Sequence, residues 1–133
     1  MRTAVTSDEY IQGILGGDRI LLSKAITLIE STRKEDEEMA TQILEACLKT
    51  GKKSKRIAIT GVPGAGKSTF INSWGKLITD SGKTVAVLAI DPSSSISKGS
   101  ILADKTRMED LVSEARCYIR PTASSSNLGG VAR

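Results

Sequence analysis

The residues best equipped for chemistry lie together near the middle of the 133-residue sequence, at Gly61-Val62-Pro63-Gly64-Ala65-Gly66-Lys67-Ser68. They satisfy GxxxxGK[ST], the pattern of a phosphate-binding loop. Its glycines let the chain curl so that successive amide N–H groups face inward and form an anion nest free of Cβ obstruction. A helix opening directly after the loop aims its positive end at the same place. Lys67 is expected to reach the β- and γ-phosphates of a nucleotide, and the Ser68 hydroxyl to ligate Mg²⁺. Thr69 either contacts the α-phosphate or caps the helix. The plainer reading is a tight Gly/Pro turn before a helix with a surface lysine, but such a turn does not need the lysine and hydroxyl as a pair.

Two carboxylates extend the constellation. Asp91 ends the apolar run Val85–Ile90, and ligands of open parallel sheets gather at the sequence ends of strands. There it could hold Mg²⁺ directly or through water, or simply start the turn before Pro92. Asp104 is either the N-cap of a following helix or a group that approaches the γ-phosphate. Lys105 and Arg107 beside it suit phosphate contact or solvated surface. The sequence has no histidine, which removes Ser-His-Asp and Cys-His catalysis and histidine-containing zinc sites. Cys47 and Cys117 form no CxxC pair and read as buried thiols.

Elements must position these groups. Thr6 and Glu9 have capping-box spacing before an apolar helix that Gly16-Gly17 breaks. Asp18 caps a second helix carrying Leu21, Ala25 and Leu28. The run Arg33–Glu38 reads as a solvated turn and the acidic start of a third helix, whose Met39, Ala40, Ile43, Leu44, Cys47 and Leu48 form a wide apolar face. Arg56–Thr60 is a β-prone run leading into the loop. Phe70, Ile71, Trp74, Leu77 and Ile78 predict a helix from Ser68 to about Ser81 with those side chains in the core, closed by Gly82. Thr84–Ile90 reads as a parallel strand covered on both faces. A helix over Thr106–Ala115 and a strand at Cys117–Ile119 closed by Pro121 follow.

This order predicts an α/β fold: a P-loop NTPase three-layer α/β/α arrangement with a parallel sheet, incomplete at three strands, preceded by helices. Residues 1–51 are the helical extension and residues 52–133 a partial nucleotide domain. The net charge is +4, with ten basic and nine acidic side chains in residues 1–60 and nine and six in 61–133. The excess therefore sits with the phosphate loop. Four aromatics are too few for a single-strand stacking platform, so no nucleic-acid partner is expected. The longest apolar run, Val85–Ile90, is far shorter than a membrane span. Met1–Tyr10 lacks a signal core, and a cytoplasmic location without membrane association is expected.

Together these segments resemble the amino-terminal part of the ArgK/MeaB family, the methylmalonyl-CoA mutase-associated P-loop GTPases. The resemblance rests on Gly16–Arg19, Ala25–Ser31, Gly61–Phe70, Val87–Ser94, Gly99–Leu102, Asp104–Met108, Ile119–Pro121 and Leu128–Arg133. It implies a GTP-binding and hydrolysing chaperone of an adenosylcobalamin-dependent acyl-CoA mutase, with GTP as substrate, Mg²⁺ as cofactor and a homodimer in the full-length form. It also places Asp91 and Asp104 around Mg²⁺ and makes the polar loop between them a switch region. Lys67, Asp91 and Asp104 become the catalytic candidates, and Ser68, Asp91 and Asp104 the metal ligands. Ala103 stands where the family often has glycine. The family's second acidic switch segment, its Asn-Lys-x-Asp guanine-selecting motif and its dimerisation region do not occur in the sequence. The chain is therefore expected to be a truncated one, with strand 56–60 lacking its usual neighbour. Two alternatives stay open: a P-loop kinase of ArgK type, and a non-catalytic truncated nucleotide-binding module.

Overall fold

The computed structural model describes residues 5–91 and 108–123. The chain divides into two units, Met1–Arg56 and Ile57–Arg133.

The first unit is a bundle of three helices, α1 (Ser7–Gly16), α2 (Arg19–Ile29) and α3 (Lys34–Lys49). Their ends form as local chemistry dictates. Thr6 and Glu9 make a full capping box: the Glu9 amide donates to the Thr6 hydroxyl at 3.3 Å and the Thr6 amide to the Glu9 carboxylate at 2.8 Å. Gly17, at φ 85°, turns the chain out of α1. Asp18 then accepts the amides of Ile20 and Leu21 at 2.8 and 3.0 Å. Tyr10, Ala25 and Ile43 form the core, flanked by Leu21, Leu28, Met39 and Cys47. At Gly13 an added Cβ would lie 2.2 Å from Leu21 Cδ1, so glycine is what lets α1 and α2 close. The apolar face of α3 is narrower than its sequence suggests. Leu44 and Leu48 are exposed and Cys47 is half-buried, because three helices enclose only one stripe of each.

Arg33 organises the start of α3. Its guanidinium pairs with Glu35 at 2.8 Å and with Asp36 at 3.0 Å. A hydrogen bond from the Ser31 hydroxyl, with the Arg33 contacts behind it, holds the Asp36 carboxyl below its ordinary value of 3.8 against the opposing effect of burial.

The second unit is mixed α/β, a parallel sheet with flanking helices, consistent with an incomplete P-loop NTPase fold. Its elements are α4 (Lys67–Asp80), β1 (Val85–Asp91), the single turn α5 (Glu109–Val112) and β2 (Cys117–Ala123). β1 and β2 pair in parallel with Val85 opposite Cys117 and Ala89 opposite Pro121. The strand thus continues through Pro121 rather than ending there. Proline has no N–H to donate, which a strand with one described neighbour tolerates. The expected strand at Arg56–Thr60 does not form: residues 56–60 have no regular structure, and Ile57 and Ile59 are exposed. An isolated extended run gains no ladder hydrogen bonds, and no described strand lies beside this one.

The faces also differ from the pattern. Val85, Val87 and Ala89 are half-buried while Ala86 and Leu88 are exposed, so the described part of β1 is covered on one face only. On α4, Phe70 and Leu77 are 54% and 67% exposed. Trp74 is half-buried and stacks on Phe70 with ring centroids 5.6 Å apart. Ile71 packs as expected, and the stripe it belongs to is completed by Gly75 and Thr79, spaced one turn apart. Ile71, Val85, Val87 and Ile119 surround the buried trio Met108, Leu111 and Cys117. Gly75 lets the helix come close: a Cβ there would lie 2.6 Å from Leu111 Cδ1. Lys76 pairs with Asp80 and, at 3.0 Å, with Glu114 beyond α5, and these bonds hold its ammonium above the usual lysine value.

Two outcomes test this packing. Gly75→Ala should destabilise the second unit by about 1–3 kcal/mol, since Leu111 is fully buried and has nowhere to move; denaturant titration followed by Trp74 fluorescence reads it. Asp36→Asn should lower the stability of the helical unit at neutral pH. That difference should shrink once the pH falls below the ordinary aspartate value and vanish as it passes through the lower folded one, because a depressed carboxyl pKa stabilises the fold fully above the unfolded value and loses that contribution as the folded carboxyl is protonated. Circular dichroism melts across pH 2.5–7 (roughly the window that linkage defines) check it.

Candidate functional site

The loop before α4 is built by its glycines and proline. The Ala65 amide donates to the Val62 carbonyl at 3.2 Å. Pro63 stands at the second position of that turn and Gly64, at φ 81°, at the third, the signature of a type II turn. Gly66, at φ 83°, is the N-cap of α4 and makes no side-chain cap. An L-residue in either left-handed position would be strained by roughly 1–2 kcal/mol. The Phe70 amide returns to the Gly66 carbonyl at 2.9 Å, which starts the helical ladder. Helix geometry leaves the amides of Gly66, Lys67, Ser68 and Thr69 without intrahelical acceptors, directed out of the end of α4. Partial positive charge therefore concentrates where the loop curls.

Lys67 closes the loop on itself. Its ammonium donates to the carbonyls of Gly61 at 2.7 Å and Val62 at 2.9 Å. An ammonium carries three donors, so the third is available to an anion without breaking either bond. Ser68 is half-buried and Thr69 exposed. The sequence-predicted residues Gly61–Thr69 are thus one continuous structure, with the lysine laid back across the loop.

Asp91 is brought to the same level by element lengths. The 14 residues of α4 span about 21 Å and the 7 of β1 about 23 Å. Residues 81–84 join them, and α4 packs against β1. A short link between packed elements of equal length makes them run antiparallel. The start of α4 therefore lies level with the end of β1, where Asp91 is its last residue. Asp104, Lys105 and Arg107 lie outside the described residues.

The donor set suits a small hard cation. A serine hydroxyl and carboxylates are oxygen ligands of the kind Mg²⁺ takes beside phosphate oxygens and water. Among the described residues no group of three or more metal-binding side chains occurs. No helix among them is long and apolar enough to cross a membrane.

Sequence reasoning missed Asn72. Its carboxamide donates to the Asp110 carboxylate at 2.6 Å and accepts the Leu111 amide at 3.2 Å, tying α4 to α5. The available signal was a polar residue one helical turn past Ser68 and one residue beyond the packed position Ile71.

Comparison with known proteins adds a family. The profile described as "Methylmalonyl Co-A mutase-associated GTPase MeaB" matches residues 22–133. A probable GTPase of Mycobacterium tuberculosis is 47% identical over 137 residues, covering 100% of this chain and 41% of that protein. The methylmalonic aciduria type A homolog, mitochondrial, of Mus musculus is 43% identical over 136 residues, covering 95% of this chain and 33% of its own length. Among solved structures, the crystal structure of an LAO/AO transport system kinase superposes with a TM-score of 0.70 at 33% identity, over 92% of this chain and 36% of that one. The chain thus spans less than half the length of these relatives.

The loop geometry predicts a separable effect. Gly66→Ala should force the left-handed N-cap out of place and raise amide hydrogen exchange over residues 64–68, with the α1–α3 bundle unchanged. Exchange measured by mass spectrometry on peptides from each unit checks it.

Proposed function

The chain belongs to the MeaB family of methylmalonyl-CoA mutase-associated GTPases, and on that premise we propose that it carries the triphosphate-holding part of a GTPase. The full-length protein hydrolyses GTP to gate and protect an adenosylcobalamin-dependent acyl-CoA mutase. The observation that supports this most is the Gly61–Ser68 loop, with its left-handed Gly64 and Gly66 leading into the amide-rich start of α4.

In this reading each residue has one task. The amides of Gly66–Thr69 bind and orient the phosphate oxygens, and fixed dipoles of this kind need no reorganisation as charge shifts during transfer. Lys67 turns its third donor toward the β- and γ-phosphates. Ser68, Asp91 and Asp104 would hold Mg²⁺, which would supply positive charge to offset that of the phosphates. Guanine selectivity, homodimerisation, the mutase contact and a cytoplasmic site of action belong to the same reading. A helical extension over residues 1–51 precedes the nucleotide domain at 52–133.

A second reading is phosphoryl transfer to a small acceptor, favoured by the likeness to a structure described as a transport-system kinase. Product analysis with γ-labelled GTP separates the two: label released as phosphate supports the GTPase, and label on an acceptor supports the kinase. For the site itself, binding of a fluorescent GTP analogue with Mg²⁺ is the direct measurement. Lys67→Ala should weaken it about tenfold or more, as expected for loss of a charge-assisted hydrogen bond. Ser68→Ala should weaken it only when Mg²⁺ is present. Unchanged binding in both variants would falsify the site.

A further inference from the structure

We infer that Asn72 is a positioning residue for the phosphate loop and its metal-binding hydroxyl, acting through a clasp between α4 and α5. The inference rests on the GTPase reading for its ligand, but the clasp itself is visible in the fold. Asn72 follows Ser68 by four residues, so the two side chains lie on one face of α4, a turn apart. The Asn72 carboxamide makes two bonds to residues 38 and 39 positions away: it donates to Asp110 at 2.6 Å and accepts from the Leu111 amide at 3.2 Å.

Three features make this more than a tie between helices. Among asparagine, aspartate and leucine, only the carboxamide presents a donor and an acceptor at once, so a side chain of almost the same shape cannot serve both partners. Both bonds sit next to a close contact, where Gly75 lets α4 approach the fully buried Leu111. And α4 meets the sheet largely through Leu111 of α5 and the preceding Met108, so the seat of α5 sets the height and rotation of α4. A helix pinned at its second turn holds its first turn in register with the end of β1. Released from Asn72, α4 can rotate about Gly75 and carry Ser68 away from the level of Asp91. Phosphate contacts made by backbone amides tolerate such a shift better than a metal shared between two elements does.

Three forms of the full 133-residue chain test this: Asn72→Asp, Asp110→Asn, and the two together. Asn72→Asp keeps the acceptor for Leu111 but sets a second carboxylate against Asp110. It should raise amide exchange at residues 64–68 and increase the Mg²⁺ concentration for half-maximal GTP-analogue binding by about fivefold, the effect of one lost side-chain hydrogen bond. Binding without Mg²⁺ should stay within about twofold on the same scale. The double variant restores a donor and an acceptor with the original charge, and should return both measurements toward those of the unmodified chain. A merely structural role would instead raise exchange throughout α4, β1 and β2 and weaken binding equally with and without Mg²⁺; that result overturns the inference. Unchanged exchange at residues 64–68 in Asn72→Asp, or no recovery in the double variant, overturns it as well. If the unmodified chain binds no GTP analogue, the GTPase reading fails, and the exchange comparison still decides the clasp.

Discussion

Leu111 has no exposed surface, and the residue it meets on α4 has no Cβ. The rest of the second unit follows from that contact. Because Gly75 admits Leu111, α4 lies close to α5 and the inner face of the sheet, and its buried stripe runs through Ile71, Gly75 and Thr79. A larger residue at 75 would hold the helix off and uncouple its first turn from β1. The loop glycines shape the phosphate nest, but this packing determines where the nest is presented. The Lys76 bridge to Glu114 and the Asn72 clasp flank the same contact and fix the rotation that apolar packing alone leaves free.

The proposed function is assembled from backbone amides, an ammonium, a hydroxyl and carboxylates, so the geometry that brings them to one place controls binding. The lysine laid across the Gly61 and Val62 carbonyls illustrates this, since those two bonds keep its ammonium at the loop. The helical unit behaves differently. Its one clearly perturbed carboxyl, Asp36, is tied to Ser31 and Arg33 in a local cluster that stabilises the start of α3.

Legibility in the sequence followed the range of the interaction. The Thr6–Glu9 box, the Asp18 cap, the glycine exits at Gly17 and Gly82 and the loop through Ser68 were all readable, and the structure contains them. Of the apolar face expected on α4, Ile71 packs inward while Phe70 and Leu77 are exposed. Phe70, Trp74 and Leu77 are the larger side chains and dominate any periodicity, whereas the packed stripe is marked by a glycine and a threonine that carry little hydropathy signal. The run Arg56–Thr60 had the right composition, but no described strand lies beside it. Asn72 was invisible as anything other than a polar residue in a helix.

The sequence by itself determined the loop conformation, the helix caps and the family, because each depends on residues within a few positions of one another or on patterns copied along the chain. Only the tertiary structure decided which face of α4 is buried, that β1 is covered on one side, and that Asn72 reaches Asp110. Those outcomes depend on which surfaces meet across dozens of residues, and close packing selects among them by shape at the scale of a single methyl group.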